Sequence, residues 1–239
     1  MTDVQKQIDK FLADLDTAWP GRYSAVLFGS AARGQHIPGW SDINILLVAE
    51  ALGPEELIAA RPALAGWRGG AQALPLLFSR SEWHRSADAY PLEIAEMRTA
   101  YQVLRGTDPL TGMRVHPADL RSALEREFRG KLMRLRQGFA LYGAEPKELT
   151  EFVRRSASSL LLLCRGLLIL RGGAIPVEPS AVIAAAAQEA GFSPEAMDRI
   201  IARRADSGWQ CTEADVREYL LSVEQAARFI DHFQTGAQE

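Results

Sequence analysis

Apolar residues first recur at Val4, Ile8, Phe11, Leu12 and Leu15, the spacing of one helical face, and Thr2 with Gln5 is placed as a capping box. Pro20-Gly21 ends that pattern, and the period changes. Ser24 to Phe28 and Ile43 to Val48 are short, nearly unbroken apolar runs, which predict two buried strands. Residues 54 to 65 return to helical spacing, with Pro54 and Glu55 suited to a first turn. Residues 72 to 78 (QALPLLF) predict a third strand, confined by Pro75 to an edge or a bulge. Beyond Pro117 the pattern is helical throughout. Leu120 to Leu141 and Lys147 to Leu170 are long amphipathic or apolar stretches separated by Gly143 and Pro146, and Gly172-Gly173 stops the second. Further helices are predicted near 179–190, 194–205 and 212–235, with Ser193-Pro194 and Thr212 as starting signals. The turn-rich segment Arg105 to His116 (RGTDPLTGMRVH) separates the two regimes. The chain therefore divides into a strand-containing domain over residues 1–110 and an all-helical domain over 117–239.

Composition narrows the class without naming it. The 239 residues are 47% apolar and 24% charged, which suits a globular chain of two modest domains, each with its own core. A formal charge of −3 gives no general attraction to nucleic acid or an anionic membrane, so neither is an expected partner. Any polyanion must be held by a local cluster. Cys164 and Cys211 form neither a disulfide framework nor a zinc spacing, and the charged N-terminus (MTDVQKQIDKF) lacks the apolar core of a signal peptide. The expected location is cytoplasmic. The longest apolar stretch, Leu160 to Leu170, is interrupted by Arg165 and is too short to span a bilayer, so it reads as a core helix.

The stretch that carries chemistry is Leu27 to Val48, LFGSAARGQHIPGWSDINILLV. It reads as strand, Gly-Ser, a short helix start, a polar loop, and Asp-x-Asn opening another strand. Gly29 allows a close backbone approach where the strand turns, and the first N–H groups of the helix, with the Ser30 hydroxyl, form an anion site. Arg33 adds positive charge beside it. Asp42 and Asn44 are two apart and share one face of their strand. Oxygen ligands beside a phosphate cradle are what Mg²⁺–nucleotide binding requires.

With Gly29, Ser30, Arg33, Gly34, Ser41 and Asp42 at these spacings, the chain resembles the DNA polymerase beta-like nucleotidyltransferase superfamily. It is most similar to the bacterial branch of aminoglycoside adenylyltransferases and small antitoxin-type nucleotidyltransferases. The resemblance implies an α+β chain: a small mixed β-sheet nucleotidyltransferase domain followed by a helical-bundle domain. It also implies a nucleotide, ATP or another NTP, held through Gly29, Ser30 and Arg33, with Mg²⁺ at Asp42 and Asn44.

Two departures bear on activity. Position 44 is Asn where the family has its second Asp, and QALPLLF supplies no third carboxylate. In the family's two-metal chemistry, carboxylates offset the charge of ions that activate the attacking hydroxyl and clamp the leaving pyrophosphate. One carboxylate in place of three predicts weak or absent Mg²⁺ binding. Lost charge stabilisation of this kind costs several kcal/mol of barrier, on the order of a thousandfold in rate. Glu93, near Asp88 and Glu96, is the candidate replacement if a turn at Pro91 brings it into the cleft. The alternative is that all three are solvated acids.

The helical domain adds Arg121, Arg126, Arg129, Lys131, Arg134 and Arg136, which either line a cleft for phosphates or form a solvated face balanced by Asp119, Glu125 and Glu127. His36 lies in the motif loop, where it either meets a base or ribose or stands exposed. Three functions fit these residues. The first is a nucleotide-binding protein of this fold whose transfer chemistry is lost or much weakened, acting as a sensor or regulator. The second is a working Mg²⁺-dependent enzyme that moves NMP from an NTP to a hydroxyl of a small molecule or protein. There Asp42, Asn44 and Glu93 are catalytic. The third is a non-enzymatic scaffold whose helical domain binds a protein partner.

Overall fold

The computed structural model describes residues 3–37, 41–68 and 73–235. Thr2 of the expected capping box, Gln72 at the start of the expected third strand, and Pro38 to Trp40 of the motif loop lie outside the described residues. The chain forms two units, Met1–Ala89 with Met97–Arg114, and Tyr90–Glu96 with Val115–Glu239.

In the first unit, α1 (Asp3–Ala18) buries Ile8, Phe11, Leu12 and Leu15, the stripe its spacing predicts. β1 (Tyr23–Phe28) and β2 (Asn44–Ala49) pair antiparallel, with Tyr23 opposite Ala49 and Phe28 opposite Asn44. Both strands are buried on both faces, which is why they read as unbroken apolar runs rather than alternating ones. Ala25, Leu27, Ile45 and Leu47 pack with the α1 stripe and with Ala60, Ala63 and Trp67 of α2 (Pro54–Arg68). α2 runs through Pro62, and the burial of Ala63 and Trp67 beyond it offsets the hydrogen bond the proline removes. β3 (Leu76–Ser79) joins β2 in parallel, Leu46 opposite Leu76, and takes the sheet edge. It starts one residue after Pro75, so the ring leaves the ladder intact. A capping box between Ser79 and Glu82 opens α3 (Arg80–Trp83). After α4 (Pro91–Met97), whose residues up to Glu96 belong to the second unit, comes β4 (Tyr101–Arg105), antiparallel to β1. The mixed sheet has the order β3-β2-β1-β4. β4 was not expected from the sequence.

The second unit is helical: α5 (Pro117–Tyr142), α6 (Pro146–Arg171), α7 (Pro179–Ala190), α8 (Glu195–Arg203) and α9 (Glu213–His232). Thr212 caps α9 as its sequence suggests, in a capping box with Asp215, while α5 is capped by the His116 ring accepting from the Ala118 amide. The core gathers Leu124 and Phe128, Val153 and Leu160, Ile183, Ile200, Tyr219 and Val223. Close helix approach depends on Gly138, where a β-carbon would stand 2.2 Å from the Phe152 ring. Cys164 and Cys211 are free and buried, and burial pushes both thiols up to about 12. Among the described residues no helix is long and apolar enough to cross a membrane.

Candidate nucleotide site

The candidate site begins where β1 leaves the sheet. Gly29 takes φ +76°, in the left-handed region that glycine enters without steric cost, and the chain reverses at once. Arg33 N donates to Gly29 O at 3.2 Å, Gly34 N to Ala31 O at 3.2 Å and Gln35 N to Ser30 O at 2.8 Å. This is a run of turns rather than the expected helix start. The reason is Gly34, also left-handed at φ +73°, which closes the reversal before a helical ladder can propagate. The turn still does what a helix start would do. Among the described residues, the amides of Ser30, Ala31 and Ala32 and the Ser30 hydroxyl make no hydrogen bond, which leaves them as candidate donors for an anion.

Asn44 opens β2 directly opposite Phe28, and this register carries its side chain over the turn. A β-carbon at position 29 would lie 3.0 Å from Asn44 Nδ2, so Gly29 is required here by space as well as by dihedral angle. Asp42 is exposed, and the buried Ile43 between the two places Asp42 and Asn44 away from the core. Arg33 is half-buried and donates through Nη2 to the Thr99 hydroxyl. Thr99 escaped the sequence reading because its place depends on β4. Tyr101 pairs with Phe28, so the segment entering β4 passes the turn that leaves β1. No local pattern around Thr99 signals this. His36 is half-buried with Nε2 enclosed and without a hydrogen bond among the described residues.

The donor set does not fit a pair of divalent ions. Asp42 is the carboxylate of this face; β3 (LLFS) and β4 (YQVLR) contribute none, and Asn44 is neutral. Among the described residues no three His, Cys, Asp or Glu side chains gather as a metal centre would need. Glu93 is an exposed residue of α4 within the second unit, Asp88 is exposed, and Glu96 is buried at 6% exposure. Most of the α5 arginines are occupied. Arg121 pairs with Glu125 and donates to Phe233 O, Arg129 pairs with Glu125 and Asp231, and Arg136 pairs with Glu224. They join α5 to α9 and the residue that follows it, whereas Arg126 and Arg134 are exposed without an ion pair among the described residues.

Residues 8–72, which contain the turn, Asp42 and Asn44, match the family model of the nucleotidyltransferase domain. The chain is similar in structure to spectinomycin adenyltransferase AAD(9) from Enterococcus faecialis, a structure determined with ATP and spectinomycin. The TM-score is 0.59 at 14% identity, over 95% of this chain and 99% of that one. No curated protein matches the sequence significantly. Residues 8–72 of the first unit thus match a nucleotidyltransferase domain, in keeping with the resemblance that the motif carries. The chain shares the fold of that adenyltransferase.

Proposed function

We propose that the protein binds a nucleoside triphosphate on the Gly29–Arg33 turn, has lost or greatly weakened nucleotidyl transfer, and acts as a nucleotide sensor or regulatory partner. The observation that carries this reading is the pairing of an intact donor turn with an amide, not a carboxylate, at position 44. Phosphate binding needs only the donors, whereas in-line transfer needs ions that Asp42 alone does not hold as a pair. The spectinomycin adenyltransferase that shares the fold was solved with ATP, which supports a nucleotide as the ligand class. The helical unit is then the surface for a protein partner.

The presence of Ser30, Arg33 and Asp42 together speaks against a bare scaffold, and the second reading is an active enzyme that uses Asp42, Asn44 and Glu93 to pass NMP from an NTP to a hydroxyl. Calorimetric titration with ATP and GTP separates binding from chemistry, because it needs no acceptor. The expected result is saturable binding that falls about tenfold or more in Arg33→Ala, the scale of one charge-assisted contact. Unaltered affinity in that variant would remove the turn from the account. Mg²⁺-dependent NMP transfer abolished by Glu93→Gln would establish the second reading instead.

A further inference from the structure

We infer that the turn takes the polyphosphate as the bare anion, without a bridging divalent cation, and that Asn44 is a phosphate-facing donor rather than a metal ligand. The inference rests on the nucleotide-binding reading above and specifies the ionic form of its ligand. A cation site and an anion site need opposite chemistry: the first gathers oxygen acceptors, the second gathers N–H and O–H donors. The face built around Gly29 is the second kind. It offers the amides of Ser30, Ala31 and Ala32, the Ser30 hydroxyl, and the Arg33 guanidinium positioned by Thr99. Asn44 completes the set. Its Nδ2 is the atom beside Gly29, at 3.0 Å from the β-carbon position, while its Oδ1 lies beyond 4 Å.

A carboxylate at position 44 would put an anionic oxygen where that amide nitrogen stands. It would repel a phosphate unless a metal ion lay between them. The amide removes both the repulsion and the need for the ion. Asp42, exposed and two residues away, is the one carboxylate in the motif's sequence. A bare triphosphate also carries more negative charge than its magnesium complex, and a donor turn with a guanidinium favours the more highly charged form.

The test is ATP titration of the full chain in EDTA and in Mg²⁺, then of Asn44→Asp in both buffers, with its melting temperature confirming the fold. The wild type is expected to bind in EDTA within about threefold of, or more tightly than, in Mg²⁺. Asn44→Asp is expected to lose about tenfold or more in EDTA and to regain affinity when Mg²⁺ is added. A wild type that loses about tenfold in EDTA overturns the bare-anion inference and leaves nucleotide binding standing. An Asn44→Asp variant with unaltered affinity in EDTA overturns the role given to Asn44. Absence of ATP binding in both buffers removes the nucleotide reading, and the inference with it.

Discussion

Gly29 meets two demands at one position. Its φ of +76° excludes an ordinary side chain on steric grounds, and the Asn44 amide occupies the space a β-carbon would need. Gly29→Ala is therefore expected to destabilise the fold by about 1–2 kcal/mol in urea denaturation, and to weaken ATP binding by displacing Asn44. A variant as stable as the wild type with unaltered affinity would contradict the described packing. At this scale most residues of the candidate site could be named from the sequence. Gly29, Ser30, Arg33, Asp42 and Asn44 lie close together in the chain, and each announces its chemistry through residue type and spacing. Thr99 was not legible, because it reaches Arg33 only through a strand pairing that no nearby residue encodes.

At the scale of elements, strong periodicity was reliable and weak periodicity was not. α1, β1, β2 and the long helices carry continuous apolar patterns, and the structure places them close to the expected positions. β4 (YQVLR) carries no such signal. It is a short edge strand, exposed or half-buried throughout, so its sequence has no need of an apolar run. The helix expected after Ser30 is a run of turns for a comparable reason: the dihedral angle of Gly34 outweighed local helix preference.

The α5–α6 pair contains a polar tie that amphipathic spacing hides. Lys131 is 4% exposed and donates to Ser156 O and the Ser159 hydroxyl. Burial, reinforced by Arg134, pushes its pKa from 10.5 down to about 8. The unfolded chain keeps this proton up to its ordinary value, whereas the folded chain releases it near 8. The folded state therefore gains stability as pH rises through that window. Above pH 9 the buried thiols of Cys164 and Cys211 act in the opposite sense, since only the unfolded chain ionises them there. Urea denaturation should show the wild type gaining up to about 1 kcal/mol relative to Lys131→Met between about pH 8 and pH 9. A difference independent of pH would show that Lys131 is not buried as described.

Taken as a whole molecule, the chain shares the fold of an adenyltransferase at 14% identity, while its motif carries an amide, Asn44, beside Asp42. The two properties rest on different residues. The fold depends on cores centred on residues such as Leu27, Ile45 and Trp67 in one unit, and Phe128, Leu160 and Tyr219 in the other. Many apolar combinations fill such volumes, so the architecture persists as sequence diverges. Metal-dependent transfer depends on a few carboxylates, and replacing one with an amide alters the site without disturbing the core.

The central claim is that the turn after β1 is the nucleotide site, and amide chemical-shift mapping with ATP tests it most directly. The account predicts that the amides of Ser30, Ala31, Ala32 and Arg33, with the Asn44 side-chain amide, move most as ATP saturates the protein. Shifts confined to the helical unit, or an unchanged spectrum at saturating ATP, would contradict it.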